Sequence, residues 1–151
     1  MLTSTEPGDL FVLRNAGNVV PPYGASTGGE AAAVEYAVQV LGVNQIIVCG
    51  HTHCSAVKSL LEPDSAADLP ALRSWLRQLE ATRRIVSEQR DNIDPEELLD
   101  KAVQANVLVQ LANLSTHPVV AARLLAGNLE LVGCVYWIDT GVVAHTVGNA
   151  K

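Results

Sequence analysis

The stretch Gln45-Ile-Ile-Val-Cys-Gly-His-Thr-His-Cys54 decides how the rest of the sequence reads. Its opening, Gln45 to Cys49, is a compact β-branched run with no polar alternation, the pattern of a strand covered on both faces in a parallel sheet. Its close, Cys49 to Cys54, gathers two histidines and two cysteines where that strand ends and the chain turns toward a helix, the place where parallel α/β proteins put their sites. His51 and Cys54 stand three residues apart on this turn. An imidazole nitrogen and a thiolate sulfur can therefore converge on one borderline-soft cation, and Zn2+ accepts that mixture. Taken alone, the pair reads equally well as a capping histidine beside a buried cysteine. Cys49 and Cys54 also suggest a redox pair, but their separation, with a histidine between, is not the usual dithiol spacing.

Toward the N-terminus, the Ala-rich segment from about Glu30 to Leu41 predicts a helix that Gly42 stops. Before it, Val19 to Gly29 holds Pro21, Pro22, Gly24, Gly28 and Gly29 and is expected to be an irregular loop. Leu10-Phe-Val-Leu-Arg14, between Gly8-Asp9 and the turn-prone Asn15-Ala-Gly-Asn18, fits a buried strand. Strand, helix and strand make a βαβ unit. Toward the C-terminus, Leu69 to Arg90 carries Leu72, Leu76 and Leu79 among charges, an amphipathic helical pattern. Asp94-Pro-Glu-Glu97 supplies an N-cap, a proline at the first helical position and first-turn carboxylates, opening a helix to about Leu114. Pro118 opens a shorter one to about Ala126, ended by Gly127-Asn128. Leu129–Ile138 and Val142–Val147 then form a hairpin turning at Asp139-Thr-Gly141. The expectation is one α/β domain over residues 1–151, with a mostly parallel β-sheet flanked by helices.

Bulk properties narrow the function. At 151 residues the chain is the size of one ordinary domain with a real core. A net charge of −6 argues against nucleic acid, whose phosphates need a concentrated basic face. No apolar run approaches the roughly 18 residues of a membrane span, and no secretory leader opens the sequence. Three cysteines do not suggest the paired framework of a small secreted domain. These features describe a soluble, cytoplasmic protein with reduced thiols.

Three stretches give the His-Thr-His-Cys cluster its context. They are Gly8-Asp-Leu-Phe-Val-Leu-Arg-Asn-Ala-Gly-Asn18 with Pro21-Pro22; Glu35-Tyr-Ala-Val38 followed by Ile46-Ile-Val-Cys-Gly-His-Thr-His-Cys54; and residues 106–141, ending Gly-Cys-Val-Tyr-Trp-Ile-Asp-Thr-Gly. In this order they resemble the β-class carbonic anhydrases, most of all the cyanobacterial, carboxysome-associated branch. The resemblance implies zinc-dependent, reversible hydration of carbon dioxide to bicarbonate. It makes His51 and Cys54 zinc ligands and places Phe11, Ala16 and Tyr36 around a small apolar carbon dioxide pocket. It also implies a homodimer or higher homo-oligomer, in the cytoplasm or a carboxysome, with carboxysome components as candidate partners. The chemistry is coherent, because Zn2+ lowers the pKa of water bound to it to about 7.

Two departures go with the resemblance. The family's first zinc ligand belongs to a Cys-x-Asp-x-Arg motif a few residues ahead of the stretch matched by Leu2–Asp9. The sequence is accordingly read as truncated at its N-terminus, with that ligand, the Asp-Arg pair and the central motif strand missing. No catalytic residue is then retained, activity is expected to be impaired, and an inactive binding or assembly module is the alternative. His53 or Cys49 could substitute as ligands, but on an extended strand end they should face away from His51. The second departure is Ser55, where relatives commonly carry Gly. His117 and His145 read as surface or hydrogen-bonded structural residues, and Glu35 as a polar helix position. Arg14 and Asp9 read as structural, Cys134 as a small core residue, and Arg83-Arg84 as a solvated helix face.

Overall fold

A computed structural model of the chain describes residues 3–25, 28–88 and 93–146. Its elements in order are α1 (Gly29–Glu35), prolonged by a π-helical turn over Tyr36–Val40; β1 (Gln45–His51); α2 (Ser55–Leu61); α3 (Pro70–Leu76); α4 (Glu80–Ser87); α5 (Pro95–Ser115); α6 (Pro118–Leu125); β2 (Glu130–Trp137); and β3 (Val142–Thr146). The sheet order is β1-β2-β3. β1 and β2 run parallel, from Gln45 opposite Glu130 to His51 opposite Tyr136. β2 and β3 form the antiparallel hairpin, from Gly133 opposite Thr146 to Trp137 opposite Val142. This is the α/β arrangement expected, with the larger ladder parallel.

Helix α5 is the organising element. Asp94 caps it, its side chain accepting from the Glu96 backbone N–H at 2.9 Å, with Pro95 in the first turn. Val103, Val107, Leu111 and Leu114 are buried along it. The sheet receives this helix through two glycines: a Cβ on Gly50 would lie 2.9 Å from side-chain carbons of Val103 and Val107, and one on Gly133 would lie 2.8 Å from Val107 and 2.9 Å from Leu111. Bare backbone on one sheet face thus lets the helix sit close.

Several expectations need correction. Residues 10–14 are not a strand: Leu10, Phe11, Val12 and Leu13 are exposed, and the segment pairs with no strand among the described residues. A run of apolar residues supplies β propensity, but a strand exists only where a neighbour takes its backbone groups. β1 extends to His51, two residues past the expected end, and is covered mainly on the α5 face, with Ile47 53% exposed. The single helix expected over 69–90 is broken into α3, a 3-10 turn at Arg77–Leu79, and α4; residues 89 and 90 lie outside the described residues, as does 147 of the hairpin. The helix ending near Leu41 widens into a π turn in its last residues. The Leu41 N–H bonds the Tyr36 carbonyl, five residues back, before Gly42 at φ +67° ends it.

Candidate metal centre

β1 delivers His51 at its last position, Thr52 and His53 turn the chain, and Cys54 is the residue before α2. The Nδ1 of His51 lies 2.8 Å from the Thr52 carbonyl oxygen, which can only accept, so Nδ1 carries the proton. That bond leaves Nε2 with its lone pair, the state a metal-ligating histidine needs. Cys54 is a free thiol, 5% exposed.

The turn itself is fastened to the hairpin. Thr52 is buried; its N–H donates to the Tyr136 carbonyl at 3.0 Å, and its hydroxyl accepts from the Ile138 N–H at 3.0 Å. His53 stands in the left-handed region at φ +57° and meets Asp139 at 2.7 Å. That hydrogen bond and the Asp139 charge raise the His53 pKa above its ordinary value, and the charges of Glu96 and Asp100 add to the effect. His53 therefore serves the clamp and not the cluster of donors. Its direction comes from the left-handed turn, and not from the strand alternation expected of it. In sequence the partners are only a histidine and an aspartate in two separate turns, with no sign that they meet.

Cys49, the other suggested substitute, stands two residues before His51 within β1 and so lies on the same strand face, not the opposite one expected; there it faces Cys134 across the β1–β2 ladder. Ser55 is exposed at the first position of α2, and its carbonyl accepts from the Ser59 hydroxyl at 3.0 Å. Of the pocket residues, Phe11 and Tyr36 are brought together, with ring centroids 6.2 Å apart. The Ala16 carbonyl accepts from the Trp75 indole N–H at 2.9 Å. The loop that carries Ala16 is held from behind by a polar stripe on α5 that the sequence reading missed. Asn106 donates to the Gly17 carbonyl at 2.8 Å, Gln110 accepts from the Val20 N–H at 2.8 Å, and Asn113 donates to the Val20 carbonyl at 2.9 Å. His117 is buried and donates to the Pro21 carbonyl at 3.0 Å, a structural role as expected.

A buried thiol and an imidazole whose Nε2 lone pair is available are donor types that zinc accepts. Among the described residues no third His, Cys, Asp or Glu joins a group able to hold a metal ion.

An α/β sheet with a His and a Cys at a strand's C-terminal end leaves the class of protein open, and similarity to known proteins narrows it. The family model described as carbonic anhydrase matches residues 1–143. A carbonic anhydrase from Synechocystis sp. is 51% identical over 144 residues, covering 95% of this chain and 53% of its own length. One from Pseudomonas aeruginosa is 49% identical over 151 residues, 68% of its length. Among solved structures, the β-carbonic anhydrase CcaA superposes with a TM-score of 0.92 at 50% identity, covering 95% of this chain and 70% of that one. A tetrameric β-carbonic anhydrase from Sordaria macrospora gives 0.84 at 28% identity, covering 99% and 74%. The chain belongs to the β-class carbonic anhydrases. It spans about half, 53%, of the length of the Synechocystis relative and of a carbonic anhydrase from Synechococcus elongatus.

Proposed function

We propose that this chain belongs to an enzyme that reversibly hydrates carbon dioxide to bicarbonate at a zinc ion held in part by His51 and Cys54. The observation that carries the reading is the His51 ring, whose Nδ1–H bond to Thr52 leaves Nε2 available three residues before a buried free thiol. Zinc, when bound, supplies the Lewis acidity that makes water a nucleophile near neutral pH. The chain's own residues do the positioning. The Thr52 and His53 anchors hold the turn, and Phe11 and Tyr36, whose rings meet at 6.2 Å, together with Ala16 are the apolar groups that would receive the uncharged gas.

Two ligands do not complete a catalytic zinc, which takes three from protein. The reading therefore requires a third donor beyond the described residues. Residues 1–151 alone should bind zinc weakly and hydrate carbon dioxide hardly faster than buffer. A version extended at its N-terminus with the family's Cys-x-Asp-x-Arg segment should show a fast, chelator-sensitive rate in stopped-flow, lost in His51→Ala and Cys54→Ser. An extended version that binds zinc but stays at the buffer rate would refute the enzymatic reading and favour the second one, an inactive assembly module. That second reading rests on the absence of a third donor among the described residues. In either case the tetrameric relatives support a homo-oligomer, and the resemblance to the cyanobacterial branch supports carboxysome components as partners.

A further inference from the structure

Cys49 and Cys134 are direct partners in the parallel ladder between β1 and β2. Paired residues on neighbouring strands present their side chains on one sheet face, and strands lie about 4.7–4.9 Å apart. That spacing falls within the range of about 4.4–6.8 Å between the Cα atoms of disulfide-bonded cysteines. The face is the one away from α5, since the next residues, Gly50 and Gly133, are those turned toward Val103, Val107 and Leu111. Both thiols are free. They differ in access: Cys134 is 6% exposed on the central strand, whereas Cys49 is half-buried on β1, at the sheet's edge among the described residues. Burial, together with the Cys49 thiol beside it, pushes the Cys134 thiol up to about 12. The proposed zinc site uses neither.

We propose that Cys49 and Cys134 are a reversible oxidation site that closes to a cross-strand disulfide in the presence of hydrogen peroxide. The accessible Cys49 sulfur attacks one peroxide oxygen; the S–O bond forms as the O–O bond breaks, giving a sulfenic acid and, with the thiol's proton, one water. The Cys134 sulfur then attacks the Cys49 sulfur. The S–S bond forms, the S–O bond breaks, and the hydroxyl leaves with the Cys134 proton as a second water. Two electrons pass from the thiols to the peroxide, and a dithiol reductant returns them. Because Cys49 lies two residues before His51 on the same strand face, the bond fastens the end of β1 to β2 directly beneath the candidate ligand.

The test uses the intact 151-residue chain, folded, in chelator-treated buffer, so that its outcome is independent of zinc. After near-stoichiometric hydrogen peroxide, remaining thiols are alkylated and the chain is digested without reduction for mass spectrometry. The expected result is one alkylatable thiol of the original three and an intramolecular link between the peptides carrying Cys49 and Cys134. The link should persist in Cys54→Ser, vanish in Cys49→Ala, raise Tm by several degrees, and be undone by dithiothreitol. A link that Cys54→Ser abolishes would overturn the assignment. So would Cys134 remaining fully alkylatable while Cys49 goes on to sulfinic acid, or a link forming equally well in the urea-unfolded chain.

Discussion

Gly50 and Asn106 show how single residues set the distance between α5 and what it supports. An alanine at Gly50 puts a methyl 2.9 Å from both Val103 and Val107, in a packed layer with nothing flexible to give way. Gly50→Ala should cost about 1–3 kcal/mol, the range for overpacking, read as a fall in the urea midpoint at unchanged m-value. A substitution without effect there would mean that α5 does not pack on β1 through this glycine. Asn106 is buried and fully engaged: it donates to the Gly17 carbonyl and accepts from the Thr82 hydroxyl at 3.0 Å and from Gln110 at 2.9 Å. Asn106→Ala leaves those groups unpaired and should cost about 3 kcal/mol. It should also shift the fluorescence of Trp75, whose indole holds the Ala16 carbonyl of the same loop. Stability lost with the Trp75 emission unmoved would show that the stripe does not position this loop. The sequence revealed α5 as a helix, but a polar residue inside an apolar helix carries no sign of which distant carbonyl it meets.

At the scale of elements, α4 opens on a charged triplet. Glu80 accepts from Arg83 at 2.8 and 2.7 Å and from Arg84 at 2.9 Å. These hydrogen bonds, Arg83 first, lower the Glu80 pKa from 4.5 to about 2. A depressed carboxylate contributes stability that is present above its unfolded pKa and lost as pH falls through the folded one. Here the window runs from 4.5 down to about 2. The group is exposed, so salt screens it and the effect on overall stability should be small. Carbon-13 NMR should find the Glu80 carboxyl titrating near 2, and rising toward 4.5 in Arg83→Ala/Arg84→Ala; titration at 4.5 in the unaltered chain would contradict the triplet. The elements the sequence predicted well are those with local signatures, such as α5 with its Asp94-Pro95 start and the hairpin whose turn ends at Gly141, φ +72°. The misread ones depend on partners. Residues 10–14 have strand composition but no ladder, and the helix expected over 69–90 breaks at Arg77–Leu79 despite an unbroken apolar period. In the candidate site, His51 and Cys54 can be proposed from sequence because they stand three residues apart. The clamp of His53 on Asp139 was not, because those residues are 86 apart.

Across the whole molecule, the exposed apolar side chains, Leu10 to Leu13, Tyr36, Val40, Leu41 and Ile47 among them, are more than a lone monomer needs to show. Sedimentation velocity should therefore find reversible self-association with rising concentration, weakened by Ile47→Lys; a monomer at every concentration would contradict it. The central claim is that His51 and Cys54 are donors to one metal ion in a carbonic-anhydrase chain whose described residues offer no third. Cobalt(II) substitution tests it most directly, because a thiolate bound to cobalt gives a charge-transfer band in the near ultraviolet that needs no activity to be seen. Under reducing conditions, the ion should be weakly held and removed readily by a chelator. Its thiolate band should be lost in Cys54→Ser, weakened in His51→Ala and kept in Cys49→Ser. A band that survives Cys54→Ser, or disappears with Cys49 alone, would contradict the account.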